Sequence, residues 1–457
     1  MPMTLYLLFF MLRIKFFFYD LKSASLHLII KLIMQRIPIK SFLIYFFFLI
    51  KVSYSQVTTP FSSLIPIGEL SDNSFSNNLG MGGVGISNGS YWHLNNQNPA
   101  ALVYNRFTTF EMGIASDVRQ LVNNETKDIS GNGNINYMGF GVPIIKGGKW
   151  VTSFGFNPYS NTNYKLFSEE LILGVDGSLT SSIVNYNYDG NGGLSQVYFS
   201  NGFKLGDEFS IGFKGSYIFG NLSSNISSKV SNEPQFYSNL YEKSSFKDFA
   251  FQMGMFYRKE VNTDKYLKIG LTYDFNNSLE AKRFSQLERR IPNSLTVLVI
   301  DTIFNNDISQ FILPIKFGLG ISYEIIDKLS LGLEIRSQQW NEESGYANTD
   351  YKKSLQVSAG IEIIPDAENV NSFFRRVTYR GGLLFKKSPL IINDNQLNTS
   401  AITFGMSLPI GTISRVNFGI EVGKRGNLNK ISIKENYLKF IIGSSINNIW
   451  FIKRKFD

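Results

Sequence analysis

Residue types that commonly carry catalysis or bind metals are scarce in this chain. Its 457 residues include two histidines and no cysteine, which excludes thiol nucleophiles, disulfide frameworks and cysteine-bound metals. His93 is the only histidine beyond residue 55, and it is therefore the only candidate for an imidazole base. The glycine-rich run at 190–193 reads as a turn, because no helix N-terminus follows it to bind a phosphate. The sequence thus predicts no cofactor and no metal site.

Charge and composition exclude two further classes of protein. The formal net charge of +9 suggests an acidic partner, but residues 1–55 alone hold seven basic residues against one acidic residue. The rest of the chain is nearly balanced, with 38 basic and 35 acidic residues, so nucleic acid is not a predicted partner. Intrinsic disorder is excluded because 43% of the residues are hydrophobic and 15% are aromatic.

Residues 1–55 are predicted to be a signal peptide region. From Met34 the chain has a basic stretch, an apolar core over 42–50 and small residues that predict signal-peptidase cleavage after Ser55. The apolar core is too short to span a bilayer, which needs about 20 residues. We expect Met34 to be the true start of the protein. The alternative is a genuine long leader or an N-terminal anchor helix.

Strict alternation between apolar and polar side chains recurs after residue 105. It is clear in 266–275, 328–336 and 416–423, where one face is apolar and the other carries charges and glycine. Side chains alternate between the faces of a strand, and in lipid an exported chain with such strands satisfies its backbone by closing into a barrel. We therefore predict an all-β fold, a transmembrane antiparallel β-barrel over 106–457. A soluble all-β protein such as a sandwich is the alternative.

The strand count is estimated from the same alternation. Bacterial barrels have even strand numbers, so we expect about fourteen strands, with sixteen as the alternative. Two stretches, 163–175 and 179–189, are counted as strands of their own. The polar stretches 221–245, 277–293 and 340–350 are predicted to be long extracellular loops.

A glycine-rich motif lies directly before the first predicted strand, where residues 79–102 read LGMGGVGISNGSYWHLNNQNPAAL. Glycines let a backbone cross a crowded space with positive φ, and Asn before Pro favours a turn that starts the next strand. The motif resembles the N-terminal hatch of the FadL-like family of outer-membrane transporters for long-chain fatty acids and other hydrophobic compounds. The matching residues are Leu79, Gly80, Gly82, Gly83, Asn98, Pro99, Ala100 and Leu102.

The resemblance implies a lumenal plug formed by residues 56–105 and passive transport. A hydrophobic small molecule or lipid would enter a mostly apolar pocket beside the plug and leave sideways into the outer-membrane lipid. The family usually has a paired-Asp element before the turn, and here Asn88, Gly89 and Ser90 replace it, so substrate preference does not carry over. His93 falls in the predicted plug, away from the outer wall where a barrel hydrolase would need it, and no enzymatic activity is expected.

A break in the third predicted strand is the candidate for the sideways exit. The strand WVTSFGFNPYSN contains Gly155, Asn157 and Pro158, and proline cannot donate a ladder hydrogen bond. Members of the family are thought to open laterally at a kink in an early strand, so the resemblance favours an opening at these residues. The alternative is that Pro158 simply ends the strand.

A second function stays open at the level of sequence. A PorV-like branch of the same barrel family is an accessory subunit of the type IX secretion machinery and binds exported cargo, so secretion-system subunits are the alternative partners. On either reading the chain is placed in the outer membrane of a Gram-negative cell. Lumen-facing charges that could contact a ligand carboxylate are Lys214, Lys268, Glu334, Arg336 and Glu421.

Overall fold

A computed structural model describes residues 59–72, 74–123, 126–173, 179–231, 237–291, 296–340 and 351–449. The predicted signal peptide and its cleavage site lie outside these residues. Gln56–Asp457 form one compact unit, and this unit is described by itself. Among the described residues, no helix is both long and apolar enough to cross a membrane.

The unit is built on a 17-stranded sheet. In chain order the strands are β1 (Glu69–Leu70), β2 (Thr108–Asn123), β3 (Lys127–Ile145), β4 (Trp150–Leu173), β5 (Leu179–Leu205), β6 (Phe209–Val230), β7 (Tyr237–Asn262), β8 (Lys265–Asp274), β9 (Ser278–Arg290), β10 (Val297–Ile312), β11 (Ile315–Ile325), β12 (Leu329–Gln339), β13 (Ser354–Ile363), β14 (Thr378–Ile392), β15 (Asn395–Ile410), β16 (Ser414–Asn427) and β17 (Ile433–Asn448). Short helices are α1 (Ser76–Leu79) and α2 (Leu428–Ile431), and 3₁₀ turns lie at Pro60–Leu64, Pro99–Tyr104, Lys146–Gly148 and Phe373–Arg376.

Fourteen wall strands close into a barrel. Strand β17 pairs back onto β2, from Asn448↔Thr108 to Ile433↔Asn123. Strands β8 and β9 pair with two successive stretches of β7, so together they are one wall strand interrupted at 275–277. Strands β11 and β10 pair with β8 and β9 in turn and form another. The segments β2 to β17 therefore make fourteen strands, which confirms the predicted fold class and decides against sixteen.

The wall carries apolar side chains outward and polar side chains inward, as predicted. In β12, Leu333 and Ile335 are 58% and 48% exposed, whereas Glu334 between them is 2% exposed. Phe404 and Thr403 in β15 show the same contrast, at 58% and 1%. This orientation is that of a transmembrane barrel, whose apolar face meets lipid. A soluble sandwich would instead bury the apolar face.

Two of the predicted loops are strands. The stretches 221–245 and 277–293 lie largely in β6, β7 and β9, and β6 stays paired with β7 as far as Ser228↔Ser238. The prediction was wrong because it required apolar–polar alternation. That pattern ends where a strand leaves the membrane, although the backbone ladder continues beyond it.

Because the prediction required apolar–polar alternation, it also divided two strands that are continuous in the structure. The stretches 163–175 and 179–189, predicted as strands of their own, belong to β4 and β5. These two strands pair from Trp150↔Phe203 to Leu173↔Leu179. Most of the remaining predicted loop, 341–350, lies outside the described residues.

One rim of the barrel carries short turns. The connections β5–β6, β7–β8, β11–β12 and β15–β16 there are three, two, three and three residues long, and this rim also holds the start of β2 and the end of β17. The longer connection at 364–377 is an exception. Outer-membrane barrels keep their short turns on the periplasmic side, so we call this the periplasmic rim.

Candidate functional site

Residues 59–105, here called the inner segment, contact the inward faces of strands around the barrel. Lys214 in β6 donates a hydrogen bond to the Asn96 carbonyl at 2.8 Å. The Gly82 amide donates to the Thr403 hydroxyl in β15 at 2.8 Å. One segment can reach wall strands this far apart only by crossing the lumen. A hatch inside the barrel would follow such a course.

The glycine motif lets the inner segment run directly against the wall. Gly82 and Gly83 have φ angles of +70° and +85°, a backbone conformation that favours glycine. A Cβ atom on Gly82 would lie 2.7 Å from the Leu383 carbonyl oxygen and 2.9 Å from that of Ala359. A Cβ atom on Gly80 would lie 2.9 Å from the Cα atom of a wall glycine in β15. Side chains at Gly80 and Gly82 would push the segment off the wall.

The predicted Asn-Pro-Ala turn is present and is capped by its asparagine. The Asn98 side chain accepts a hydrogen bond from the Ala100 amide at 3.0 Å. It also donates to the carbonyl oxygens of Ile86 and Met255, at 2.8 and 3.1 Å. Pro99 fills the first position of the 3₁₀ turn, where its missing N–H costs nothing. Asn98 thereby joins the turn to the rest of the inner segment and to β7.

Two of the predicted lumen charges hold the inner segment in place. Glu334 accepts hydrogen bonds from the backbone amides of Gly85 and Ile86 at 2.8 and 2.7 Å, and it pairs with Arg336. Arg336 in turn donates to the Gly83 carbonyl at 2.8 Å. Hydrogen bonds to charged groups are among the stronger ones in proteins. These two side chains are therefore engaged by the inner segment and are not free for a ligand.

The other three predicted lumen charges also face inward with partners. Lys214 bonds the inner segment as described, and the Lys268 ammonium lies 2.7 Å from the Glu324 carboxylate. Glu421 accepts a hydrogen bond from the Tyr437 hydroxyl at 2.7 Å.

A buried ion-pair network, not foreseen from the sequence, ties β1 to the wall. Glu69 lies 2.8 Å from Arg425 and 3.9 Å from Arg119, and Arg119 lies 2.9 Å from Glu435. Burial by itself raises the pKa of Glu69, but Arg425 and Arg119 outweigh it and lower the pKa to about 2. The alternation in β16 could have placed Arg425 inward, two residues after Gly423. Its partner more than 300 positions away gives no sequence signal.

His93 belongs to a buried polar cluster. Its Nδ1 atom lies 2.9 Å from the Ser445 hydroxyl and 3.2 Å from the Glu111 carboxylate. Burial lowers the pKa of His93, although Glu111 opposes that shift, so the imidazole is neutral at pH 7. A catalytic triad places the nucleophile and the acid on opposite ring nitrogens, whereas here both contact Nδ1. The geometry is that of a structural link between the inner segment, β2 and β17.

The ladder between β3 and β4 ends well before either strand does. Its last pair is Met138↔Phe156, although β3 reaches back to Lys127 and β4 runs on to Leu173. The ladder covers residues 150–156 of β4, and a membrane-spanning strand needs about 9–11 residues. The two strands therefore separate within the membrane layer. We call the gap between them the seam.

The predicted residues Gly155, Asn157 and Pro158 lie where the seam begins. A Cβ atom on Gly155 would lie 2.3 Å from the Met138 carbonyl oxygen, so glycine is required for the last pairs of the ladder. On the other side of β4, Pro158 stays in register with Ser195 and a one-residue shift follows it. Strand β4 thus stays paired with β5 beyond the proline, whereas its pairing with β3 has ended.

Strand β1 occupies part of the edge that β3 leaves free. Glu69 pairs with Asn161 and Leu70 pairs with Ser160. The Ser71 amide adds a hydrogen bond of 2.9 Å to the carbonyl of the preceding β4 residue, 159. The inner segment therefore supplies some of the backbone hydrogen bonds that a complete wall would have made.

An apolar layer fills the lumen toward the extracellular side. Phe61, Ile65 and Ile67 of the inner segment are 1%, 6% and 0% exposed, and they pack with wall residues such as Leu194 and Leu397. Tyr159, at the seam, belongs to the same layer. This layer is the part of the interior that could receive an apolar group.

Two charged cavities adjoin the inner segment on the periplasmic side of this layer. One has a volume of about 180 Å³ and is lined by residues that include Glu69, Arg119 and Arg425. The other has a volume of about 120 Å³, with Lys214 and Arg336 in its lining. The sequence led us to expect a mostly apolar pocket beside the plug, and these two cavities are instead polar.

Wall, seam and inner segment define an outer-membrane-type β-barrel of fourteen strands with its N-terminal segment folded into the lumen. The BamG family model matches residues 38–457, so the chain belongs to the BamG family. No curated protein sequence matches it.

Solved structures with this fold include FadL-type transporters. The toluene transporter TodX from Pseudomonas putida is 13% identical, with 83% of this chain and 100% of that chain covered and a TM-score of 0.54. A Pseudomonas aeruginosa FadL homologue is 11% identical, covering 82% and 98%, with a TM-score of 0.53. The Ralstonia pickettii toluene transporter TbuX is 14% identical, covering 82% and 98%, with a TM-score of 0.51. At these identities the likeness shows a FadL-like barrel fold, and nothing in it favours the PorV-like branch.

Proposed function

We propose that this barrel is a passive outer-membrane channel for hydrophobic and amphipathic small molecules, such as long-chain fatty acids, which leave sideways through the seam. The observation that carries the proposal is the loss of β3–β4 pairing beyond Met138↔Phe156. An unsatisfied backbone group in lipid costs several kcal/mol. Beyond Met138↔Phe156, the described residues of β3 and β4 lack such hydrogen bonds to each other inside the membrane layer. A lateral opening at this position would explain their loss.

In this proposal the inner segment is the plug. It crosses the lumen, and its residues Phe61, Ile65 and Ile67 fill the apolar layer where an entering hydrocarbon would have to pack. Tyr159 lies at the seam and belongs to that layer, so the seam and the layer are at the same level of the barrel. A ligand that displaces the plug residues there would meet the gap in the wall without leaving apolar surroundings.

The names of similar structures support transport over catalysis. TodX and TbuX are titled toluene transporters, and the fold matched is that of channels. The buried cluster around His93 has the wrong geometry for a relay triad. We therefore propose no enzymatic role for this barrel.

Uptake by whole cells tests the proposal. A Gram-negative strain that lacks its own fatty-acid channel would express the full chain, and uptake of radiolabelled oleate would be measured against an empty vector. Heat-modifiable migration on a gel confirms that the barrel is folded in the membrane. We expect uptake well above the vector control. Uptake equal to the control from a folded barrel would contradict the proposal, and recovery of secretion subunits in a detergent pull-down would then favour the accessory role.

A further inference from the structure

The two charged cavities surround the same part of the inner segment. Both are lined by Leu70, Ser71, Asp72, Gln356 and Lys386. Because they share these residues, the two cavities adjoin each other, and we call them together the chamber. It lies beside the seam and just beneath the apolar layer.

Several cationic side chains that line the chamber have no partner in the part of the chain that the structure describes. Its lining includes the ammonium groups of Lys316, Lys386 and Lys439. Among the described residues, none of these three has an ion-pair or hydrogen-bond partner, although Lys316 lies 5.5 Å from the centre of the Tyr159 ring. The contrast is with Lys268, which is paired with Glu324 at 2.7 Å.

Each carboxylate that lines the chamber has a partner, although the Oε2 atom of Glu435 has none of its own among the residues described. Glu69 and Glu435 bind Arg425 and Arg119 as described. Asp72 lies 3.6 Å from Arg336. The others, with their partners, are Asp117 with Arg119 at 3.9 Å, Asp274 with Gln252 at 3.3 Å and Glu421 with Tyr437 at 2.7 Å. An anion from outside the chain would therefore supply acceptors for the donors that have no partner.

The spread of the donors over several strands favours a tetrahedral phosphate over a planar carboxylate. Besides the three ammonium groups, the buried Nε atoms of Arg119 and Arg425 have no hydrogen-bond acceptor in the described structure. A carboxylate presents two oxygens in one plane, whereas the phosphodiester of a lipid headgroup presents two charged and two ester oxygens in a tetrahedral arrangement, which suits donors on different sides of a cavity. In the larger cavity the donors come from β2, β14, β16 and β17 (Arg119, Lys386, Arg425 and Lys439), whereas Lys316 of β11 lines the smaller one.

The walls of the chamber indicate where such a group enters. Toward the extracellular side the apolar layer covers it, with the Arg425 guanidinium 4.7 Å from the centre of the Phe61 ring. Toward the periplasm the inner segment is bonded to the wall by Lys214 and Arg336, as described. At the seam the lining is mostly amide side chains, which are Asn132, Asn134 and Asn136 from β3 and Asn161 from β4, together with Pro158.

We propose that the chamber binds the phosphate headgroup of an anionic membrane lipid, which enters through the seam while its acyl chains stay in the bilayer. The inference rests on the proposed function in one respect, since it uses the same lateral opening. It assigns that opening a polar, amide-lined path for a headgroup and assigns Lys386 and Lys439 as headgroup ligands.

Binding to the purified, delipidated full chain tests this proposal. Native mass spectrometry would titrate the protein with dioctanoyl phosphatidylglycerol, dioctanoylglycerol, octanoate and inorganic phosphate. We expect one phosphatidylglycerol to bind, and we expect the double variant Lys386→Met, Lys439→Met to lose affinity by about tenfold or more. Lys387→Met is the matched control, because Lys387 neighbours Lys386 in the chain and lines neither cavity; its binding should be unchanged.

Each other result overturns the proposal. If the double variant bound phosphatidylglycerol as tightly as the native chain, or if dioctanoylglycerol bound as tightly as phosphatidylglycerol, the two lysines would not be recognising a phosphate group. Octanoate binding more tightly than phosphatidylglycerol would make the ligand a carboxylate. Inorganic phosphate that competes as well as the lipid would make it a free anion.

A second measurement keeps the proposal testable if the double variant fails to fold. The native chain has no cysteine, so a single Asn134→Cys can carry a benzophenone photo-crosslinker in phosphatidylglycerol vesicles. We expect lipid crosslinked through its headgroup at Asn134 and not at Asn398→Cys on β15, which lines neither cavity of the chamber. Equal capture at the two positions would overturn the seam as the point of entry. Both tests measure binding, so they can succeed or fail independently of oleate uptake.

Discussion

Glu69 and Glu334 are the carboxylates that tie the inner segment most directly to the wall. Glu69 meets Arg425 at 2.8 Å, and Glu334 receives two backbone amides. Both belong to buried charge clusters, where removal of one partner leaves the other uncompensated. Stability of the docked segment should therefore respond to single substitutions at these positions.

Glu69 makes docking of the inner segment sensitive to acid. Arg425 and Arg119, against the opposing effect of burial, lower its pKa from 4.5 to about 2. A carboxyl with a depressed pKa stabilises the fold above its unfolded pKa and loses that contribution as the pH falls through the folded pKa, here between about 4.5 and 2. The full contribution is on the order of 3 kcal/mol. Glu69→Gln should lower the melting temperature at pH 7 and make little difference near pH 2.

Thermal unfolding followed by circular dichroism checks this expectation across that pH range. Asp394→Asn, in an exposed turn, is the control and should match the native chain at every pH. A gap between the native chain and Glu69→Gln that stays constant from pH 7 to pH 2 would contradict the assignment of the ion pair.

Glu334→Ala should loosen the inner segment more than a surface substitution does. It leaves the Gly85 and Ile86 amides without their acceptor and removes one of the partners of Arg336, and each unsatisfied buried group costs about 1–3 kcal/mol. Limited proteolysis in detergent should show faster cleavage within residues 59–105. Glu170→Ala, at an exposed site on β4, is the control, and equal cleavage rates in the two variants would contradict a docking role for Glu334.

At the scale of elements, the strands of the membrane layer were predictable and their extensions were not. The alternation in 266–275 and 328–336 located β8 and β12, because lipid outside and polar lumen inside impose a period of two. Stretches such as 221–230 are mostly serine and asparagine, with apolar side chains only at Leu222, Ile226 and Val230, so their pattern is a weak signal for a strand. Pairing with a neighbouring strand, a non-local property, forms them.

The seam was foreseen only in part. Pro158 marked the position where β4 changes its pairing, since a proline cannot donate to a ladder. The sequence did not indicate that β4 continues with β5, or that β1 pairs with its freed edge. Both facts depend on contacts between residues distant in the chain.

Gly155→Ala should widen the seam toward the periplasm. The added methyl would lie 2.3 Å from the Met138 carbonyl oxygen, so the last pairs of the β3–β4 ladder would have to separate. Spin labels on Asn134→Cys and Asn161→Cys would report the change as a longer distance by pulsed electron resonance. Gly215→Ala is the control, because its nearest contact at 3.7 Å is ordinary. An unchanged distance in Gly155→Ala would mean that the ladder ends for another reason.

At the scale of the whole molecule, the barrel and its inner segment were recognisable from sequence but the character of the lumen was not. The glycine motif and the Asn98–Pro99–Ala100 turn both belong to the inner segment, and the plug role that the hatch resemblance implies for them stays a prediction. Alternation also puts charged residues such as Lys386 and Lys439 on inward faces. It cannot show which of them find partners, because those partners come from other strands and from the inner segment.

Passage of hydrophobic molecules through the seam can be tested by linking β3 and β4 covalently across it. Asn134→Cys and Asn161→Cys would be joined by a short bis-maleimide in cells that express the otherwise cysteine-free chain. Lys387→Cys with Asn398→Cys, a pair already adjacent in the β14–β15 ladder, is the matched control. Oleate uptake should fall to the empty-vector level when the seam pair is bridged and should stay unchanged when the control pair is bridged. Undiminished uptake through a bridged seam would contradict lateral passage.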